Sequence, residues 1–159
     1  MSRVHIALPV ADLNASVAFY TALFGEGPDK TRDGFARFAP GLAPVSLSLT
    51  HMGGPITIPE DLTHFGVRAE TNTVVTDAIG RLESAGLVDL VETAEVCCHA
   101  TQDKVWAVDP DGRRWEVYVI TDDNPADSAS NSSCCVAPEP EPEAEEADCC
   151  APKAPSCCG

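Results

Sequence analysis

The stretch VHIALPVADLNASVAFY, residues 4–20, contains the change of hydrophobic period that decides the fold. Over residues 4–10 apolar side chains alternate with others, which is typical of a half-buried β-strand. Asp12 is a suitable helix cap, and Gly25 is a suitable helix end. Between them a stripe at helical spacing predicts a helix that packs on the strand, through Leu13, Val17, Tyr20 and Phe24.

The same strand-then-helix pattern returns in the second half of the chain. Residues 62–69, LTHFGVRA, are predicted to form a strand. Thr73 is predicted to cap a helix that Gly86 ends, with an inward stripe of Val75, Ala78, Ile79, Leu82 and Ala85. His5 and His64 occupy the same place in the two strands, 59 residues apart (64 − 5). The chain therefore contains an internal repeat.

Each predicted helix is followed by short strand-like segments, at 30–39 and 45–50 in the first half and at 88–96, 104–108 and 114–120 in the second. Asp109-Pro-Asp-Gly112 is a strong turn sequence, because Pro presets the second turn position and Gly suits the exit. We predict an α+β fold of two βαβββ modules, at about 1–55 and 60–121, within one domain of residues 1–121.

Residues 122–159 differ in composition from the rest of the chain. They contain nine acidic residues, six prolines, one lysine and no aromatic residue. Such a segment buries too little apolar surface to offset the entropy of ordering, so we predict a disordered tail. Three pairs of adjacent cysteines lie in it: Cys134-Cys135, Cys149-Cys150 and Cys157-Cys158.

The net charge of −15 argues against a nucleic-acid or anionic-membrane partner, because both require clustered Lys and Arg. The N-terminus shows neither a signal peptide nor a membrane span. All eight cysteines occur as adjacent pairs, with Cys97-Cys98 as the fourth. Neighbouring Cα atoms lie about 3.8 Å apart, closer than a disulfide prefers. Free thiols and a reducing cytoplasm are the better interpretation.

Strand parity places three metal-type ligands on the faces opposite the helices. In strands that alternate, His5, His64 and Glu116 each oppose the apolar set, and Tyr118 shares the face of Glu116. Two imidazoles and one carboxylate with open positions are typical of non-haem Fe(II) oxygenases, although Zn(II) and Mn(II) use similar donors. A lone strand histidine is more often a half-buried residue with a backbone partner. The match between the repeats favours a metal site.

The paired thiols of Cys97 and Cys98 predict a ligand for a soft centre such as As(III) or Cd(II). In a regular strand they would point to opposite faces, so joint binding requires a turn or irregular loop, which the polar residues 99–103 could form. One of the pair could instead be a small core residue. His99 could line the pocket or face solvent. His51 is interpreted as a loop residue and not a ligand, and Lys104 and Arg68 as possible pocket charges.

Residues 4–20, 63–67 and 109–118 resemble the vicinal oxygen chelate superfamily of glyoxalase I, extradiol dioxygenases and fosfomycin resistance proteins. In that superfamily the first and last strand of each module supply the metal ligands. The resemblance implies that His5, His64 and Glu116 fill three of the four ligand places. The fourth, near Ser48, has no obvious ligand, which favours a three-ligand Fe(II) site.

The pair Cys97-Cys98, taken as lying just before the fourth strand of the second module, resembles trivalent organoarsenical-cleaving carbon–arsenic lyases and the related cadmium-induced proteins. This implies an enzyme that uses Fe(II) and dioxygen to release arsenite, with the two thiols binding the arsenical. The alternatives are a protein that sequesters Cd(II) or As(III) without turnover, or another enzyme of the same fold. The tail pairs could deliver arsenical or hold metal. The preference for methyl or aromatic arsenicals stays open, as does whether the modules pair within one chain or swap between two.

Overall fold

The computed structural model describes residues 2–59, 63–97 and 100–125 of the chain, without the side chain of Cys97. Two helices and eight strands lie in these ranges. In chain order they are β1 Val4–Val10, α1 Leu13–Phe24, β2 Lys30–Arg32, β3 Phe35–Phe38, β4 Val45–His51, β5 Phe65–Arg68, α2 Asn72–Ser84, β6 Leu90–Cys97, β7 Ala100–Val108 and β8 Arg114–Asp122.

The strands form two four-stranded sheets with the same topology. The first sheet has the order β1-β4-β3-β2, and the second has the order β5-β8-β7-β6. In each, the first and last strands of the module pair in parallel, and the other neighbours pair antiparallel. A parallel pair requires a long crossover, which the helix and the intervening hairpin provide. The predicted α+β fold of two βαβββ modules is confirmed.

The helix ends follow the sequence signals at both ends of α1 and at the C-terminus of α2, where Gly86 follows the cap with φ of 68°. Asp12 Oδ1 accepts a hydrogen bond from Ala15 N at 2.9 Å, and Gly25 ends the helix with φ of 72°. The predicted cap Thr73 is wrong, because α2 begins at Asn72 after Thr71, whose side chain makes no capping bond. Asn72 instead donates to Asp103 Oδ2 on β7 at 2.6 Å. The start of α2 is thus set by a tertiary contact.

Several strand boundaries also differ from the sequence prediction. Segment 30–39 is two strands, separated at Gly34, whose φ of 66° suits a tight turn. His51 is the last residue of β4 and not a loop residue. Residues 100–103, predicted as irregular, belong to β7, because the ladders to β6 and β8 pair their backbone groups. Cys97 therefore ends the second strand of its module, and the cysteine pair does not lie just before the fourth.

The main core lies between the two sheets, and a second, smaller cluster joins Ala69, Val75 and Val119. Alternate residues of both sheets pack with the apolar stripes of α1 and α2 in a single cluster that includes Leu8, Leu49, Tyr20, Leu82 and Val117. Val4 was predicted to share the buried face of β1, but its side chain is 66% exposed. Both sheets turn one face to this core. We call the opposite faces the first and second open face; on the second, Lys104 and Trp106 are buried.

A buried ion-pair network ties the second module to the first. Asp109 Oδ2 accepts hydrogen bonds from Tyr20 of α1 at 2.7 Å and from Arg113 at 3.0 Å. Arg113 also donates to the carbonyl oxygen of Pro9, at the end of β1, at 2.7 Å. Burial, reinforced by Asp109, raises the pKa of Tyr20 well above its usual range. The predicted turn at 109–112 thus also fixes the packing of the modules.

No helix within the described ranges is long and apolar enough to span a membrane. The predicted acidic tail begins next to β8, which extends to Asp122, two residues beyond the predicted strand end. Residues 126–159, with the three tail cysteine pairs, lie outside the described residues.

Candidate metal centre

The second open face brings together two of the three predicted ligands. His64 immediately precedes β5, and Glu116 lies on β8. His64 Nε2 and Glu116 Oε1 are 3.5 Å apart, and their side chains are 22% and 9% exposed. Two donors bonded at about 2.1 Å to one tetrahedral ion lie roughly 3.4 Å apart. The separation and the nitrogen–oxygen donor set therefore fit a divalent metal ion shared by these two side chains.

Gly66, which has no side chain, leaves space for the carboxylate of Glu116. The β5–β8 ladder pairs Gly66 directly with Glu116. A Cβ at position 66 would lie 3.0 Å from Glu116 Oε1, 3.2 Å from its Cγ and 3.4 Å from Tyr118 Cε1. The two distances to Glu116 are shorter than ordinary van der Waals contacts, so a side chain at position 66 would require the Glu116 side chain to shift by a few tenths of an ångström.

Lys104 is a buried cation beside this carboxylate. It lies on β7, is 1% exposed, and its Nζ is 3.4 Å from Glu116 Oε2. That distance is long for a charge-assisted hydrogen bond, which is about 2.7–2.9 Å. Within the described residues Glu116 Oε2 is buried and accepts no hydrogen bond. The contact is therefore an ion pair that leaves the oxygen's hydrogen-bonding capacity unused.

The Trp106 ring packs against the His64 ring. The His64 ring meets the Trp106 ring edge-to-face, with centroids 5.1 Å apart. The Arg114 guanidinium lies 4.4 Å from the Trp106 ring centroid, and Trp106 Nε1 donates to Glu92 Oε2 at 2.6 Å. These contacts fix the indole and so restrict the imidazole. The sequence analysis missed Trp106, although its alternation with Lys104 along β7 could have placed it on this face.

His5, the third predicted ligand, lies on the first open face. It is exposed in β1, and its Nδ1 is 3.1 Å from the carbonyl oxygen of Ser46. Within the described ranges of one chain, no group of three or more His, Cys, Asp or Glu side chains is arranged to hold a metal. One chain thus brings His64 and Glu116 together but leaves His5 on the other sheet.

The strand pairing in the two sheets nevertheless shows that His5 and His64 occupy equivalent positions. In the second sheet Gly66, two residues after His64, pairs with Glu116. In the first sheet Ala7, two residues after His5, pairs with Ser48. Ser48 therefore occupies the place in the first module that Glu116 occupies in the second, as the sequence alignment predicted. Its hydroxyl is a poor substitute for a carboxylate ligand.

The structure describes only some of the remaining predicted site residues. β6 ends at Cys97, whose backbone pairs with Ala100. The side chain of Cys97, together with Cys98 and His99, lies outside the described residues. Tyr118, a predicted pocket residue, is half-buried next to Gly66, and Arg68 is exposed on the neighbouring strand, paired with Tyr118.

Comparison with known proteins shows the family. Residues 2–117 match the profile of the Glyoxalase/Bleomycin resistance protein/Dioxygenase superfamily, and the chain belongs to this superfamily. A solved glyoxalase/bleomycin resistance protein/dioxygenase from Alicyclobacillus acidocaldarius has the same fold. It gives a TM-score of 0.61 at 14% identity, over 77% of this chain and 93% of that one.

Two curated relatives are more similar in sequence. A trivalent organoarsenical cleaving enzyme of Thermomonospora curvata is 42% identical over 156 residues, which cover 94% of this chain and all of the relative. The cadmium-induced protein CadI of Mycobacterium tuberculosis is 44% identical over 124 residues, covering 78% of this chain and 80% of the relative. Both relatives extend across the two modules.

Proposed function

We propose that this protein is a non-haem Fe(II) enzyme that uses dioxygen to cleave the carbon–arsenic bond of trivalent organoarsenicals. One structural observation carries the proposal: the His64–Glu116 pair, a metal-type donor set, lies on the open face of the sheet in which β6 ends at Cys97. The likeness to an organoarsenical cleaving enzyme over nearly the whole chain supports the choice of substrate.

The two thiols are the proposed substrate clamp. A trivalent arsenical with one organic group exchanges its two hydroxyls for the sulfurs of Cys97 and Cys98, releasing two waters. The carbon–arsenic bond is the remaining bond on arsenic, so it is held in a defined direction. Fixing a reactant in this way lowers the entropic part of the barrier. A reducing cytoplasm, which keeps thiols free, is the compartment that suits this chemistry.

His64 and Glu116 are the proposed holders of the metal, together with one histidine at position 5. When bound, Fe(II) would supply dioxygen activation at positions left open by three protein ligands. The buried face formed by Trp106 and Lys104 would keep bulk water from the His64 side of the site. Atoms balance for the simplest substrate: methylarsonous acid and dioxygen give arsenous acid and formaldehyde.

The third ligand is proposed to come from a second copy of the chain. Within one chain His5 lies on the first sheet, whereas His64 and Glu116 lie at the second, with the core between the sheets. If the first open face of one copy covers the second open face of another, His5 meets His64 and Glu116. A twofold arrangement forms two such sites with the same contacts, as in a symmetric dimer.

The cadmium-induced relatives favour a second candidate function. A protein that sequesters Cd(II) or As(III) through its adjacent thiols would need the cysteine pairs but no turnover. In that case the tail cysteines, from Cys134 to Cys158, would hold metal, whereas in the enzyme they would deliver arsenical to Cys97 and Cys98. Another reaction of the same superfamily is the third candidate.

The deciding experiment is to load the protein anaerobically with Fe(II), add a trivalent organoarsenical, and measure arsenite with and without air. The proposal predicts arsenite only in air, and sequestration predicts none in either case. Cys97→Ser and Cys98→Ser should each lose arsenical binding and arsenite release but keep the iron, because a hydroxyl is a harder and far less acidic ligand than a thiol. Loss of iron in these variants would make the cysteines metal ligands and would contradict the proposed clamp.

A further inference from the structure

Lys104 is the buried charge on the second open face that the proposed chemistry does not use. Its ammonium group is as deeply buried as the core residues, which is rare for lysine without a compensating anion. The anion is Glu116, whose Oε2 lies 3.4 Å away, and Nζ also lies over the Trp106 ring, 5.5 Å from its centroid. Lys104 thus faces the carboxylate that we assign to the metal.

The two oxygens of Glu116 have different neighbours. Oε1 faces His64 Nε2, the direction from which a metal would be shared, and Oε2 faces Lys104. The carboxylate is therefore neutralised by a lysine whether or not a metal is present. The attraction between Lys104 and Glu116 exists in both states, but repulsion between Lys104 and a divalent cation exists only in the metal-bound state.

We propose that Lys104 is a resident counter-ion that stabilises the metal-free site and, by repulsion, lowers its affinity for divalent metal. This inference rests on the proposed metal site at His64 and Glu116. An outer partner of a ligand can also raise metal affinity by orienting that ligand, and such partners contribute about 10–100-fold. Here the contact is too long for a strong hydrogen bond, so Lys104 contributes little to orienting the carboxylate. Repulsion therefore outweighs orientation.

The test is to measure Co(II) affinity by titration calorimetry, with Co(II) as an air-stable probe, in wild type and Lys104→Met. The inference predicts that Lys104→Met binds Co(II) at least about 10-fold more tightly, because the repulsion is removed. It also predicts a lower melting temperature without metal, because Glu116 loses its counter-ion, and a smaller difference from wild type when Co(II) is saturating.

Two matched variants serve as controls. Lys104→Arg retains the charge and should bind Co(II) within a few-fold of wild type. Lys30→Met makes the same substitution on exposed β2, at the edge of the first sheet farthest from β1, and should change nothing. Lys104→Gln is a second neutral variant, with the same expected gain in affinity, should Lys104→Met fail to fold.

Unchanged or weaker Co(II) binding in both neutral variants would overturn the role of Lys104 while leaving the metal site intact. Wild type that binds no Co(II) and no Fe(II) would overturn the metal site and this inference with it. Co(II) binding is measured without substrate or turnover, so these outcomes are independent of whether the protein cleaves arsenicals.

Discussion

The two open faces have the same register and different chemistry. The second carries an imidazole, a carboxylate opposite a glycine, and a buried lysine: His64, Glu116, Gly66 and Lys104. The first carries an exposed imidazole at His5, and a serine opposite an alanine at the place of the carboxylate. The two modules thus share one backbone framework, but only the second places a carboxylate beside an imidazole and a buried lysine.

The difference extends to burial. On the second face the side chains of Lys104, Trp106 and Glu116 are all under a tenth exposed, so the charges sit in a low-dielectric setting where each is effective. On the first face His5 is open to solvent, and the nearest ion pair, Arg37 with Asp29, is about 40% exposed. The proposed metal site therefore takes two donors from the second face and one exposed histidine from the first.

The largest expected effect is the loss of metal affinity when the carboxylate of Glu116 is removed. Removal of the Ser48 hydroxyl at the equivalent position serves as the control. Glu116→Ala should lower Fe(II) or Co(II) affinity by more than the roughly 10–100-fold that loss of an outer partner costs, because a direct ligand is lost. Ser48→Ala, the same register position in the first sheet, should leave metal affinity unchanged. Titration calorimetry of both variants checks this. Equal losses in the two variants would contradict the asymmetry between the faces.

The second effect concerns the buried network at Asp109 that joins the two modules. Asp109→Ala removes the buried carboxylate shared by Arg113 and Tyr20 and leaves Arg113 only Asp111 as an anionic partner. Loss of one partner from a buried ion pair typically costs about 3–5 kcal/mol of unfolding free energy. Tyr20→Phe removes one hydrogen bond to the same carboxylate and should cost about 1.5–3 kcal/mol. Denaturant unfolding measures both. A loss below 1 kcal/mol for Asp109→Ala would show that the network does not hold the modules together.

A smaller loss of metal affinity is expected at Gly66, the position on the second face that corresponds to Ala7 on the first. Gly66→Ala should push Glu116 Oε1 from its place and lower metal affinity by about 10–100-fold, with little change in thermal stability. Gly27→Ala is the matched control, because a Cβ at position 27 would have no atom within 4 Å. Unchanged metal affinity in Gly66→Ala would show that the Glu116 carboxylate does not need the space that Gly66 leaves.

The smallest effect is on the first sheet. The hydrogen bond from Arg37 lowers the pKa of Asp29 below its ordinary value of 3.8. The stabilisation from this pair is therefore present at neutral pH and is lost as the pH falls through the lowered pKa. Because the pair is well exposed, salt screens it and the contribution is small. Asp29→Asn should shift the melting temperature slightly at neutral pH and not at all once wild-type Asp29 is protonated. An equal shift at both pH values would contradict the ion-pair origin.

The sequence predicted the architecture well because the relevant signals are local. Alternation in residues 4–10, the helical stripe from Leu13 and the turn at 109–112 each depend on neighbours in the chain. The strand faces of His64 and Glu116 were predictable for the same reason. Positions set by contacts distant in sequence were not: the start of α2, fixed through Asp103, and the extension of β7 to Ala100, fixed by its ladders.

The same limit applies to the site. Parity places His5, His64 and Glu116 on open faces, but it carries no information on which faces meet. That depends on the packing of the modules, where Arg113 and Pro9 are 104 residues apart. The burial of Lys104 could not be predicted from the sequence either, because the polar residues 101–103 before it are typical of a loop. The assignment of Cys97 and Cys98 to arsenic stays a prediction that rests on pairing and resemblance.

The composite site, with His5 from one copy and His64 and Glu116 from another, is tested most directly by mixing two inactive variants. His5→Ala and Glu116→Ala, carrying different affinity tags, are refolded together, and metal binding and arsenite release are measured on the purified mixed dimer. One of its two sites would combine both intact halves and the other both mutated halves. The account predicts about half of wild-type metal and activity in that mixed dimer, from twofold symmetry. A mixed dimer no better than its parent variants would contradict it.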